Sequence, residues 1–221
     1  MAALAGLSYV VSPVHRGVIS DGPSPEEHHA WLIGYILFAY ANDNGGRYPD
    51  GNSSTEVFQK LIDANYVTDP STFYLPLPGK TRPVPGQKLK PENVSWDITG
   101  GVTMKDSDGL PIVFMTGWKI AYVPDGGAVP LSKPVPLRGS FYSEPRSWAA
   151  WWRGEKIQRT PLDVIAVVYK NNVADVRTFE YRDSYGSYRY SEGAILNVVP
   201  KSFDPKGKTY RQLTPEGPLP N

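Results

Sequence analysis

The first strong structural signal in the sequence is SPEEHHAWLIGYILFAYANDNGG, residues 24–46. Ser24 and Glu27 have the spacing of a helix capping box, and Pro25 between them suits the first position of a helix. The Asn, Asp and Gly residues at 42–46 tolerate the left-handed backbone that ends a helix. The stretch therefore predicts a helix with a wide apolar face, formed by Trp31, Ile33, Gly34, Ile36, Leu37, Phe38 and Ala41.

A second, shorter helix is predicted to begin after Ser53, which has a glutamate three residues on and a stop signal at Asn65. Its apolar residues recur at helical spacing: Val57, Phe58, Leu61 and Ile62. Prolines interrupt the chain repeatedly between Thr72 and Pro91, which predicts an extended loop there because proline breaks helices.

The strands are predicted in the second half of the chain. Residues 110–116 and 119–123 read as two strands of a hairpin that turns at Thr116 and Gly117. Residues 163–169 and 173–181 read as a second hairpin with Asn171 and Asn172 in its turn. The proline-rich tail, 200–221, is expected to run extended over the surface. Helices followed by strands predict an α+β fold, in which the first helix packs on a small antiparallel sheet with long Pro/Gly-rich loops.

The composition excludes several classes of function. The 221 residues suit one domain, and a net charge of +1 without a basic cluster argues against nucleic-acid binding. There is no cysteine, which excludes thiolate catalysis and disulfides. Two of the three histidines, His28 and His29, are adjacent in a helix and therefore point about 100° apart. Without a nucleophile–base pair or a phosphate-binding glycine loop, we expect the protein not to be an enzyme.

Two acidic clusters have the oxygen-rich, glycine-containing character of calcium loops. Asp106 and Asp108, in Lys105-Asp106-Ser107-Asp108-Gly109, are the candidate calcium ligands. The other cluster consists of Asp43, Asn44, Asp50 and Asn52. Neither has EF-hand spacing, and such residues also form ordinary turns. Calcium is therefore the one cofactor for which the sequence offers candidate ligands, and no other cofactor is expected.

The candidate interaction residues are Trp148, Trp151 and Trp152. Exposed tryptophans can stack on sugar rings or make a contact between subunits, whereas buried ones would fill a small, loop-rich core. The sequence leaves these three alternatives open.

The segments 39–63 and 66–74, centred on the helix-to-loop junction Ala41-Asn42-Asp43-Asn44-Gly45-Gly46-Arg47-Tyr48-Pro49, resemble the major pseudopilins of type II secretion systems and related pilin-like proteins. The likeness is greatest to those of planctomycete and verrucomicrobial bacteria. Residues 166–172 are similar to their terminal strands, and residues 2–9 to the distal half of their membrane helix. The glycine, the Phe-Thr-Leu start and the glutamate that begin the family's mature helix are not in this sequence, which begins where the first half of that helix would have ended.

The resemblance implies a structural pilin-like subunit of a type II secretion system or related filament. Residues 1–23 would be a residual apolar segment, and 24–221 one pilin-like domain with an insertion-like loop region at about 76–154. The implied partners are other pilin-like subunits or secretion-system components. The implied location is the periplasm or cell surface, with an inner-membrane anchor only in a full-length precursor and this chain itself soluble. The alternatives are a secreted or periplasmic carbohydrate- or ligand-binding module that uses the tryptophans and, with the weakest support, a hydrolase with an acidic pair.

Overall fold

A computed structural model of the chain describes residues 25–77, 79–131, 164–178 and 195–219. Within these ranges the regular structure consists of two α-helices, short 3₁₀ turns and antiparallel strands, so the fold is mixed α+β, with most of the described residues in strands and loops. The elements are helices α1 (Pro25–Asp43) and α2 (Ser54–Asp63), 3₁₀ turns at Pro70–Phe73 and Pro91–Asn93, and strands β1 (Trp96–Gly100), β2 (Pro111–Met115), β3 (Trp118–Ile120), β4 (Gly127–Pro130), β5 (Val164–Tyr169), β6 (Ala174–Thr178), β7 (Leu196–Asn197) and β8 (Arg211–Leu213).

Helix α1 has the bounds that its sequence signals predict. After Asp43 the chain leaves the helix through Gly45 and Gly46, whose φ angles are 65° and 80°. The Gly46 amide donates to the carbonyl oxygen of Ala41 over 2.8 Å, which satisfies one of the carbonyl groups left free at the helix end. Positive φ is a conformation that glycine adopts without strain, so these two residues determine where α1 stops.

Helix α2 is also confirmed, with one change in its cap. The Ser53 hydroxyl accepts a hydrogen bond from the Glu56 amide at 3.1 Å, and Asn65 has a φ of 60° just past the helix end. The Glu56 carboxylate, however, accepts from the backbone amide of Asn52 instead of that of Ser53. The helix therefore has a serine cap without the full reciprocal capping box.

The strands form two antiparallel sheets. The larger has the strand order β6-β5-β2-β1-β8, and the smaller has the order β3-β4-β7. The predicted C-terminal hairpin is confirmed as β5 and β6, which are joined by a turn in which Asn172 has a φ of 61°. Asparagine tolerates this left-handed conformation better than most residues do, so local sequence was sufficient to predict this hairpin.

The predicted hairpin of 110–116 with 119–123 is wrong. Strands β2 and β3 follow each other closely in sequence but belong to different sheets. Strand β2 pairs on one edge with β1 and on the other with β5, so neither edge is left for β3. Gly117, with a φ of 98°, lies between the two strands where the chain passes from the larger sheet to the smaller.

The expectation that residues 200–221 run over the surface is wrong for β8. Leu213 lies opposite Ile98 of β1 and is fully buried. Strand β1 itself, with every residue buried, comes from the region that the resemblance marks as insertion-like. Both strands are short, and their pairing partners lie far away in sequence, so neither produces a recognisable local pattern.

The two faces of the larger sheet meet different neighbours. Helix α1 contacts β2, β5 and β6 on one face, where a Cβ atom placed on Gly34 would come within 2.5 Å of Cγ1 of Val168. Val168 lies beside Val113, and Val113 lies beside Ile98, so these three residues share the helix-facing side. Asp97 and Thr99, which alternate with Ile98 along β1, therefore point to the opposite face.

Candidate interaction surface and buried polar centre

Helix α1 has apolar side chains on both of its sides. On the inner side Ala30, Ile33, Leu37 and Ala41 are buried. On the outer side Trp31 is 42% exposed, Tyr35 54% and Phe38 40%. Trp31, Tyr35 and Phe38 are spaced four and three residues apart and so lie along one side of the helix; we call them the outer aromatic row.

The whole length of α1 between His28 and Asn42 contains no Asp, Glu, Lys or Arg. A helix at a protein surface normally carries charged residues on its solvent side, and a helix that is apolar all round is normally buried. The outer aromatic row thus has the composition of a contact surface while it faces solvent in the isolated chain.

The outer aromatic row is ordered by contacts along the helix. The rings of Trp31 and Tyr35 stack with centroids 6.0 Å apart, and the His28 ring lies 6.5 Å from that of Trp31. On the other side of the helix start, the His29 ring contacts the carbonyl oxygen of Thr72 at 3.2 Å. The two adjacent histidines therefore point to different neighbours, as their helical spacing predicts.

For two residues of the outer aromatic row, the sequence predicted the wrong side of α1. If the first helix packs its apolar face on the sheet, Trp31 and Phe38 are expected to be core residues like Leu37, but the structure places both on the exposed side. The expectation that Phe38 is a core residue is therefore wrong, whereas Leu37 is 3% exposed and belongs to the core. The absence of charge on either side of α1 is the signal that could have indicated a second apolar face.

Asp106 and Asp108, the candidate calcium ligands, each contact a lysine. The Asp106 carboxylate accepts from the Thr103 amide at 2.7 Å and from Lys208 Nζ at 2.8 Å. Lys170 Nζ lies 2.6 Å from Asp108 Oδ1. Burial acts to raise the pKa of Asp106, but the hydrogen bonds from Lys208 and Thr103 outweigh it and lower the pKa. These ion pairs join the β1–β2 loop to the β5–β6 turn and to the segment before β8.

The second acidic cluster is divided among separate partners in the same way. The Tyr66 hydroxyl donates to Asp43 at 2.8 Å, and Arg211 forms an ion pair with Asp50 at 2.9 Å. Across the described ranges, no three acidic, histidine or cysteine side chains come together as a metal-binding group. Calcium remains a prediction for Asp106 and Asp108, and an ion there would have to displace both lysines.

The tryptophan cluster Trp148, Trp151 and Trp152 lies outside the described residues. Its proposed roles in glycan stacking or subunit contact therefore stay predictions.

One acidic residue with a raised pKa lies in the core, on the face of the larger sheet that is turned away from α1. Asp97 of β1 is fully buried, and burial raises its pKa to about 7. The Gln212 side-chain amide donates to Asp97 Oδ2 at 2.8 Å, and this bond together with one from the Thr116 side chain partly offsets that effect. A general base must reach the atom that it deprotonates, and in the described conformation the Asp97 carboxyl group is closed to solvent.

A second pair of polar groups lies beside Asp97. The hydroxyl groups of Thr99 and Tyr122 are 2.8 Å apart, and Thr99 also donates to the carbonyl oxygen of Pro111. Burial raises the pKa of Tyr122, so this phenol stays neutral. Asp97, Thr99, Gln212 and Tyr122 form the buried polar centre between the two sheets, and nothing in the sequence pattern had indicated it.

Comparison of the chain with protein-family models, with curated proteins and with solved structures found no match. Among the described residues, neither helix combines the length and the apolarity needed to cross a membrane.

Proposed function

We propose that this chain is a structural, non-enzymatic pilin-like subunit that assembles with other subunits of its kind at the periplasmic side of the membrane or on the cell surface. The observation that carries the proposal is the outer aromatic row on an uncharged helix. In a filament subunit of this type, one side of the N-terminal helix would be covered by its own sheet and the other by a neighbouring subunit.

The inner side of α1 supports this arrangement. Helix α1 contacts three strands of an antiparallel sheet, and Gly34 permits a close approach to β5. These contacts leave the outer aromatic row on the side of the helix that is turned away from the sheet. An N-terminal helix on an antiparallel sheet is the arrangement that the resemblance to pseudopilins implies.

The outer side of α1 supports a second copy of this chain as the partner. A face without charge offers nothing to an acidic or a basic partner, but it is complementary to another uncharged face of the same kind. Burying a large apolar side chain stabilises an association by about 1.5–3 kcal/mol. The three rings are 40–54% exposed, so each would contribute only part of that amount, and the loss of translational and rotational freedom reduces the net gain further. Rings from both copies would contribute to the contact.

Sedimentation equilibrium of the purified chain tests this contact. We expect the average mass of the wild-type protein to rise with concentration. The double variant Tyr35→Glu, Phe38→Glu should stay monomeric, because each copy would bring two negative charges into the contact. Circular dichroism of the variant checks that the fold is retained.

Val84→Glu is the matched control, since Val84 is as exposed as Tyr35 but lies in a loop away from α1. This variant should associate like the wild type. A wild-type protein that stays monomeric up to its solubility limit, or a Val84→Glu variant that loses association equally, would count against the outer aromatic row as the contact.

The reading frame upstream of Met1 gives an independent test of the family assignment. The proposal predicts a short basic leader followed by a glycine, the Phe-Thr-Leu sequence and a glutamate. A stop codon that closes the frame without this motif would exclude assembly by the usual pilin route, whatever the association experiment shows.

A further inference from the structure

The buried polar centre contains a hydrogen-bonded connection between the two sheets. Gln212 belongs to β8 of the larger sheet, and its side chain reaches β3 of the smaller one. The Ile120 amide donates to Gln212 Oε1 at 3.0 Å, and Gln212 Nε2 donates to the carbonyl oxygen of Trp118. The glutamine amide thus bonds the edge of β3 opposite β4, much as the peptide group of a neighbouring strand would.

The same Gln212 nitrogen also donates to Asp97, so one amide group holds both β3 and the buried carboxyl. The other carboxyl oxygen, Asp97 Oδ1, is buried and has no hydrogen-bond partner among the described residues. An unpartnered oxygen is tolerable on a neutral carboxyl group but costly on a carboxylate, whose charge is shared by both oxygens.

The charged and titratable groups around Asp97 do not neutralise a negative charge there. Tyr122 is one of them, and burial raises its pKa, so that it stays neutral. Glu216 opposes ionisation of Asp97, whereas Lys80 favours it. Those two side chains lie 3.6 Å from each other, so their effects on Asp97 largely cancel. No cation among the described residues forms an ion pair with Asp97 itself.

Two free energies decide what happens when Asp97 ionises: the hydrogen bonds to the carboxylate stabilise the buried charge, and its desolvation destabilises it. Their sum favours separation of the two sheets at Asp97. A hydrogen bond to a charged group contributes about 1.5–3 kcal/mol. Desolvation of a carboxylate costs several kcal/mol, even after the protein relaxes around it. The hydrogen bonds from Gln212 and Thr116 do not offset that cost, because the net effect of burial is a raised pKa. Movement of the smaller sheet away from the larger one would let water reach Asp97.

We propose that Asp97 and Gln212 form a proton-controlled contact between the two sheets, which we call the joint. The joint is closed, with Gln212 bonded to β3, when Asp97 is protonated, and it opens when Asp97 is ionised. This inference is independent of the pilin-like function, because it concerns contacts within one chain.

The direction of the pH effect follows from where the proton binds. In the closed state the pKa of Asp97 is about 7, and in an opened, hydrated state it returns towards its ordinary value of 3.8. Between pH 3.8 and about pH 7, closure of the joint is therefore coupled to the binding of one proton by Asp97. The full stabilisation of the joint is present below pH 3.8, is lost as the pH rises to about 7, and changes little above that.

Residue-resolved hydrogen exchange of the intact wild-type chain tests the joint. Protection factors, corrected for the intrinsic pH dependence of exchange, are measured at the Ile120 amide and at the amides of β2. Between about pH 4.5 and about pH 7, we expect the protection of Ile120 to fall by up to about tenfold per pH unit, while that of β2 stays constant. A parallel fall in the protection of Ile120 and of β2 would mean that the stability of the whole fold depends on pH. An unchanged protection of Ile120 would mean that the joint does not open. Either result overturns the proposal.

Asp97→Asn replaces the carboxyl by an uncharged group of the same shape, so the protection of Ile120 should become independent of pH. Asp63→Asn removes an exposed carboxyl on α2 and should leave the wild-type pH dependence unchanged. If Asp97→Asn retains the wild-type dependence, another group controls the opening and the assignment to Asp97 fails. Should this variant not fold, the wild-type comparison of Ile120 with β2 still decides whether the joint exists.

Discussion

The two sides of α1 have nearly the same chemistry and opposite surroundings. The inner side carries Ile33 and Leu37 against the larger sheet, and the outer side carries Trp31, Tyr35 and Phe38 in solvent. Neither side has a charged residue between His28 and Asn42. Apolar character therefore indicates that a helix face makes a contact, but it does not say whether the contact lies within the chain or between chains.

The largest effect that can test this comparison is expected on the inner side. Leu37→Ala should lower the free energy of unfolding by about 2–5 kcal/mol, because it leaves a cavity in a core that cannot fully collapse. Chemical denaturation followed by circular dichroism measures this change. An unaltered midpoint would show that the inner side is not packed as described.

A smaller effect is expected at the point where α1 approaches the sheet most closely. In Gly34→Ala, the added Cβ would lie 2.5 Å from Cγ1 of Val168 and 2.9 Å from Oδ1 of Asn172. Overpacking of this kind costs about 1–3 kcal/mol, which exceeds the gain of up to about 1 kcal/mol in helix propensity. Denaturation should therefore show a net loss of stability.

Val168→Ala provides the control for Gly34→Ala, since it removes the methyl group that the new Cβ would strike. The double variant should lose less stability than the two single changes add up to, and a double-mutant cycle measures that difference. Strict additivity would mean that the helix does not approach β5 at this residue.

The smallest effect on stability is expected on the outer side. Phe38→Ala should lower the free energy of unfolding by less than about 1 kcal/mol, because its ring is already partly in water and its removal leaves no enclosed cavity. The same variant should weaken self-association in sedimentation experiments. A stability loss as large as that of Leu37→Ala would remove the distinction between the two sides of the helix.

The elements that the sequence predicted correctly are those with local signals. Ser53 caps α2, Gly45 and Gly46 end α1, and Asn172 makes the turn between β5 and β6. Each of these residues acts on backbone groups within a few positions of itself. Their effect can therefore be read without knowledge of the rest of the fold.

The elements that the sequence missed depend on distant partners. Strand β1 contains Asp97, a residue type that is unfavourable in strands, and it is stabilised by β2 on one side and by β8 on the other. Gln212 gives no sign in the sequence that its side chain bonds β3. The buried polar centre was therefore beyond sequence reasoning, because its members come together only through strand pairing.

The amino-acid sequence was sufficient to predict the two helices, the terminal hairpin, the α+β class and the lack of charge along α1. Capping, turn geometry and side-chain periodicity are local, so these features follow from short stretches of chain. Three features required the packed structure: Leu37 faces the sheet while Phe38 faces solvent, β2 and β3 separate into two sheets, and Asp97 lies between those sheets with no ion-pair partner among the described residues. Those outcomes depend on which surfaces bury one another, and burial is a property of the whole fold.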